Sequence, residues 1–176
     1  MHILMRYLFL IIIIFSSVNA GAKGVYQSNA DFLNEVFHNN LPKTQSLWLL
    51  NNIKKGAEKI LGERPGQLRI RYWGRDQQTA WILEEVGKEK LITVGFLIND
   101  NKLQTIKVLA FRESRGWEVK EDFFLEQFFQ TQITSELKLD RNIDGISGAT
   151  LSVRALKKLA RLALFYHQQV IEKNTI

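Results

Sequence analysis

The sequence predicts an α+β protein, a small antiparallel sheet flanked by helices, forming a single domain behind an export signal. Three observations predict it. Strand-like runs separated by short turn clusters fill Gln67 to Phe111, an amphipathic stretch covers Leu151 to Val170, and an apolar N-terminal run ends in small residues. Short connections imply antiparallel neighbours, because a parallel pair needs a crossover of about a dozen residues or more.

Arg6 precedes the apolar run Tyr7 to Phe15, and Ser16-Ser17-Val18-Asn19-Ala20 closes it with a small-x-small pattern. That order is a secretory signal peptide over residues 1–20, with cleavage expected after Ala20. The apolar core is shorter than the roughly 20 residues of a spanning helix, which makes an uncleaved anchor the second choice. An exported, periplasmic protein is expected, with association with the cytoplasmic membrane as the variant of that reading.

Residues 21–64 read as an N-terminal helical segment. A helix is expected around Asn29 to Phe37, with Pro42 as a break, and a second over Leu47 to Leu61, where Leu50, Ile53, Ala57, Ile60 and Leu61 approach helical spacing. Gly62 and Pro65 stop it. Strands follow at Gln67 to Trp73, Thr79 to Val86, Leu91 to Ile98 and Leu103 to Phe111. Turns at Gly74-Arg75-Asp76, Gly87-Lys88-Glu89 and Asn99-Asp100-Asn101 separate them. Alternation at Leu68, Ile70, Tyr72 and at Ile106, Val108, Ala110 marks strands with one buried face. Trp73 and Trp81, within strand patterns, are assigned to the core. Residues 171–176 are a tail.

Composition narrows the chemistry. Hydrophobic residues make up 45% and charged residues 24% of the chain, the proportions of a globular protein. Cysteine is absent and the two methionines, Met1 and Met5, lie in the signal segment. Disulfides, thiolate-held iron–sulfur clusters and Cys-x-x-Cys-His haem attachment are thereby excluded. His38 and His167 lack metal-ligand spacing and read as surface or helix-end residues. Any redox role rests on an organic cofactor. The net charge of +6 attracts anions in general. Basic residues are interleaved with acids, so no nucleic-acid partner is expected; Arg154, Lys157, Lys158 and Arg161 read as a solvated stripe on the last helix. A weaker reading gives that stripe an acidic partner, or gives Arg154 a cofactor phosphate.

The main chemical clue is Asp144-Gly145-Ile146-Ser147-Gly148-Ala149-Thr150, a small-residue turn opening onto the last amphipathic stretch. Gly145 and Gly148 permit backbone angles that side chains forbid and let a bulky group approach the main chain. A phosphate at Thr150 would meet the free N–H groups and positive dipole end of the following helix. Ser147 can cap that helix or donate to a phosphate oxygen. An aliphatic hydroxyl is a poor nucleophile unaided, so esterification at Thr150 requires an outside enzyme.

This segment resembles the Asp-x-x-Ser/Thr-Gly-Ala-Thr acceptor motif of the covalent FMN-binding domain family, found in flavin-carrying subunits of the Rnf complex and the sodium-pumping NADH:quinone reductase. The resemblance implies FMN joined to Thr150 through a phosphoester by a flavin transferase, with Asp144 as a recognition residue for that enzyme. It also implies that Gly145, Ser147, Gly148, Ala149 and Leu151 surround the attachment point. Further along, Phe111-Arg112-Glu113-Ser114-Arg115-Gly116-Trp117-Glu118-Val119 falls at the place of the family's Glu-Thr-Pro-Gly-Leu-Gly loop. Glu113 and Gly116 match; Ser114, Arg115 and Glu118 depart. Phe124-Leu125-Glu126-Gln127-Phe128 is similar to the family's Phe-x-x-Gln-Phe segment. The resemblance covers about Gln67 to Phe165 and places an FMN-binding domain at residues 65–170.

On that resemblance Trp117 is expected beside the flavin ring, the alternative being a tryptophan packed on the sheet. Glu113 either orients its loop by accepting backbone N–H bonds or lies near the ring, and Arg112 and Arg115 favour anionic reduced flavin. The expected protein is an electron carrier rather than a stand-alone enzyme, with a membrane or extracytoplasmic redox partner. Two rivals stand beside it. A flavin-free accessory module of a membrane redox complex is one, and a hydrolase using Ser147 in a Gly-x-Ser-x-Gly-like turn is the other. The second lacks the alternating helices of that fold and a suitable His order.

Overall fold

The computed structural model describes residues 24–175. The signal-peptide reading lies outside them. Helix α1 (Asn29–Val36) leads to strand β1 (Thr44–Trp48) and helix α2 (Asn51–Leu61), followed by β2 (Arg69–Arg75), β3 (Gln78–Val86), β4 (Leu91–Asn99) and β5 (Lys102–Phe111). The short helix α3 (Asp122–Leu125) lies between two 3₁₀ turns, Trp117–Lys120 and Glu126–Phe128, and the long helix α4 (Thr150–Thr175) ends the chain. The strands form one antiparallel sheet in the order β1-β2-β3-β4-β5. The expected α+β architecture is the observed one.

Residues 44–48 differ from the helical expectation. They pair with β2 as an edge strand, Thr44 opposite Trp73 and Trp48 opposite Arg69. The α2 helix begins only at Asn51 and stops at Gly62, whose φ of 83° is the left-handed cap that glycine adopts without penalty. Helical periodicity at Leu50 to Leu61 obscured the strand because Thr44-Gln45-Ser46 carries no apolar signal and Leu47 is the buried member of β1.

Two β-bulges explain why β5 does not alternate simply. Register shifts fall between Thr93 and Val94 and between Leu97 and Ile98, leaving Leu109 and Gln104 as extra residues opposite them. Each insertion reverses the side-chain phase. Leu103, Ile106, Val108 and Phe111 consequently all face the α4 core, while Leu109 points to the opposite core under α1. The β4–β5 turn at Asp100-Asn101 has φ of 51° and 62°, the primed geometry that suits strand twist.

The sheet is covered on both sides. Phe32, Leu33 and Val36 of α1 pack on Ala80, Leu97 and Leu109. Phe32 lies directly over Gly95, where an added Cβ would come within 2.6 Å of its ring. The larger core joins the other face of the sheet to α2, α3 and α4. At its centre Trp81 is completely buried, stacked on Tyr72 at 5.0 Å and tilted against Tyr166 at 5.6 Å. Trp73 is half-buried against the α1 core, so both strand tryptophans pack as expected.

His167 is not the surface or helix-end residue expected. It is completely buried; its Nδ1 meets Thr79 Oγ1 at 2.7 Å and its Nε2 accepts the Asn101 N–H at 3.3 Å. Those partners require the neutral Nδ1–H tautomer, donating to Thr79. The same Thr79 oxygen accepts the Trp81 indole N–H at 2.8 Å. Among the described residues no helix is long and apolar enough to cross a membrane.

Candidate functional site

Between Phe128 and α4 the chain runs through an irregular segment, residues 129–149, held by specific ties rather than by regular structure. Ile133 bridges to Leu139. Ile143 is buried, and its carbonyl accepts the Lys157 ammonium at 2.7 Å. Arg161 Nε donates to the Leu137 carbonyl at 2.6 Å. The Gln127 side-chain oxygen accepts the Asp144 N–H at 2.7 Å. Long irregular segments in compact domains are commonly functional. This one delivers Gly145 to Thr150 to the start of α4.

The Phe-x-x-Gln-Phe segment thereby acquires a physical role. Phe124 and Phe128 are both completely buried and meet edge to face at 5.5 Å, which aims Gln127 at the loop before α4. Gln127→Ala is expected to cost about 1 kcal/mol, the ordinary net value of one such bond, and to loosen Asp144. Amide exchange at Asp144 should accelerate in the variant, and unchanged exchange would remove Gln127 from this role.

Helix α4 starts at Thr150, and the first intrahelical bond runs from the Val153 N–H to the Ala149 carbonyl. The N–H groups of Thr150, Leu151 and Ser152 are the unpaired donors with which every helix begins. Ala149, buried, occupies the capping position. Ser147 is exposed and makes no side-chain hydrogen bond among the described residues, so it does not cap α4. The turn is instead closed by the Ala149 N–H to Ile146 carbonyl bond at 3.0 Å, with Gly148 at φ 80° and open space where a Cβ would stand. The Thr150 hydroxyl is exposed at this junction. Gly145 is likewise exposed with open space around it, Leu151 is half-buried, and Asp144 is exposed, accepting from the Asn142 amide at 3.2 Å.

Glu113 clamps the β3–β4 turn. Its Oε1 accepts the N–H groups of Lys88, Glu89 and Lys90 at 2.5, 2.7 and 2.8 Å. Desolvation works to raise its pKa, but these three donors and the Lys88 charge outweigh it and hold the carboxyl below the ordinary range. Of the two expected roles, orientation of the loop is the one its hydrogen bonds perform. Gly116, at φ 82°, lies against the first turn of α4; a Cβ there would stand 2.8 Å from Ser152 Oγ and 3.4 Å from the Ala149 methyl.

Two clefts meet at Thr150. One, of about 530 Å³, is bordered by Lys88, Glu113, Ser114 and Arg115 across from Gly148 to Ser152. The other, of about 640 Å³, has Ile60, Leu139, Ile146 and Val153 as its apolar wall and Arg154, Lys157 and Arg161 among its cations. Trp117 is half-exposed, borders neither cleft, and lies under the Lys120 ammonium, 5.3 Å from its ring centroid. Arg112 reaches the Thr93 hydroxyl at 3.4 Å, away from Thr150. The basic residues of α4 are not one solvated stripe. Arg154 is exposed, whereas Lys157, Lys158 and Arg161 are half-buried and engaged with Ile143, Glu85 and Leu137.

Residues 87–164 match the family model of the FMN-binding domain. Those residues carry an FMN-binding domain. No curated protein and no solved structure matches the chain. The match opens in the Glu113-clamped turn and closes within α4, so it takes in the cleft beside Glu113, the other cleft apart from Ile60, the irregular segment and Thr150. That similarity supports a flavin-binding electron-transfer role, and β1 to β3 with α1 and α2 complete the sheet and core from outside the matched residues. The site residues fit the cofactor: an exposed hydroxyl, free N–H donors for a phosphate, a side-chain-free approach at Gly148, and clefts of small-molecule size. The sequence did not foretell Gln127, Lys157 and Arg161 as the ties of the segment before α4. The sequence signal for Gln127 was its place in the Phe-x-x-Gln-Phe segment, and for Lys157 and Arg161 only their position on the amphipathic last helix.

Proposed function

We propose that this protein is an exported electron carrier whose FMN is esterified through its phosphate to Thr150 by a flavin transferase. The observation that carries the reading is the Thr150 hydroxyl, exposed at the first turn of α4 beside unpaired N–H groups and the open Gly148. Bound flavin supplies one- and two-electron transfer. The chain's own residues hold the phosphate at the helix start, where N–H groups and the helix dipole favour an anion. The free hydroxyl of Ser147 is available to the same phosphate. Asp144, exposed and backbone-tied by Gln127, is presented for recognition by the transferase. A membrane reductase or another extracytoplasmic redox protein exchanges electrons with the carrier, as in the Rnf and sodium-pumping families it resembles.

Intact mass of the mature protein, coexpressed and exported with a flavin transferase, tests this. The expected gain is one FMN minus one water, mapped to the peptide containing Thr150 and absent from Thr150→Val. An unmodified mass, under conditions that label a known acceptor, would leave a flavin-free accessory module.

A further inference from the structure

A group tethered at Thr150 has two clefts open to it, and their chemistry differs. The inference drawn from this rests on attachment at Thr150. The cleft toward Glu113 is mostly polar, with Lys88, Ser114, Arg115 and Ser152 beside Ala149 and Leu151 as its apolar members, and offers an aromatic ring the smaller apolar surface. Ile60, Leu139, Ile146 and Val153 supply such a surface in the opposite cleft. Burial of apolar area is the main driving force for seating a flat ring.

Charge points the same way. Thr150, Arg154, Lys157 and Arg161 recur at helical spacing and share one face of α4. Helical side chains slope toward the N-terminus, which carries Arg154 back toward Thr150. Arg154 makes no hydrogen bond or ion pair among the described residues. Lys157 and Arg161 each meet a neutral carbonyl, and burial lowers the Arg161 pKa. The cleft's other cations have acids: Lys138 pairs with Glu136, Arg141 with Asp140 and Lys158 with Glu85. No carboxylate borders this cleft. Three cations without an acid on one wall are suited to an anion.

We propose that the isoalloxazine ring of FMN held at Thr150 is seated in the Ile60–Leu139–Ile146–Val153 cleft, in the field of Arg154, Lys157 and Arg161. Positive charge near the ring favours the negatively charged reduced form over the neutral oxidised one. The seat therefore raises the flavin's midpoint potential.

Three variants of the full chain test the seat after transferase loading, with intact mass confirming FMN in each. Leu139→Trp introduces an indole into the cleft and should quench flavin fluorescence several-fold, whereas Trp117→Phe should leave it unchanged. Arg154→Gln, an exposed substitution that spares the fold, should move the midpoint potential in a dithionite titration to a more negative value. Unquenched Leu139→Trp with brightened Trp117→Phe would put the ring against Trp117 and overturn the seat while leaving attachment intact. An unchanged potential in Arg154→Gln would equally overturn the charged seat, and decides the matter if Leu139→Trp does not fold. A wild-type chain lacking the FMN mass would instead overturn the attachment at Thr150, and the seat with it.

Discussion

Replacing Trp81 with alanine is expected to destabilise the protein by about 3–5 kcal/mol, the range for deleting a large buried aromatic side chain. Three losses combine. The indole is completely buried, so its removal leaves a cavity that the sheet and α4 can fill only in part. Its contacts with Tyr72 and Tyr166 contribute packing beyond area alone. Its N–H is one of the bonds to Thr79 Oγ1, and that oxygen would retain only His167. For a chain of this size the penalty corresponds to a fall in melting temperature of roughly 10 °C. Trp81→Phe should recover most of the packing and little of the polar network. Denaturant unfolding of both variants measures the difference, and an alanine variant within 1 kcal/mol of wild type would contradict the central position of Trp81.

Acid should weaken the fold through His167. Burial pushes its pKa down to about 4, with Asp100 opposing the shift, from an ordinary value of 6.5. Between those values the unfolded chain binds a proton that the folded protein refuses. Stability is therefore undiminished above pH 6.5 and is lost as pH falls toward 4. The loss approaches about 3 kcal/mol at its limit, from about 1.4 kcal/mol per pKa unit. Protonation would also deprive the Asn101 N–H of its acceptor, releasing the β4–β5 turn from α4. In His167→Gln, which retains a donor and an acceptor but does not titrate, the decline between pH 6.5 and 4 should be smaller by that amount. Urea midpoints at several pH values provide the comparison. Parallel curves for the two proteins would show that His167 is not the titrating group.

The turn before α4 and the tie that shapes it stand differently with respect to sequence. Glycines at 145 and 148, small Ala149 and a hydroxyl at Thr150 are local choices. Their meaning lies within a few residues of chain, so the turn, its opening onto α4 and the FMN-binding character of the segment were legible at once. The strands from β2 to β5 were equally legible, because alternation and turn residues are local too. Their boundaries moved by one or two residues. β1 escaped because an edge strand with one buried side chain, Leu47, barely alternates, and the helical pattern beginning three residues later dominates the window.

What the sequence by itself determined is the α+β class, the antiparallel pairing of successive strands from β2 to β5 and the small-residue turn ahead of the last helix. Those depend on backbone preference and hydrophobic period. Tertiary structure alone decided which distant groups meet. Gln127 meets Asp144 across 17 positions, Glu113 meets the turn at Lys88 across 25, and His167 meets Thr79 across 88. It also decided that Lys157 and Arg161 are half-buried ties rather than solvated charges. Local periodicity places a residue on a face of its helix. Only the packing of the other elements determines what that face meets, and so whether a charge there is hydrated, paired or left to hold an anion.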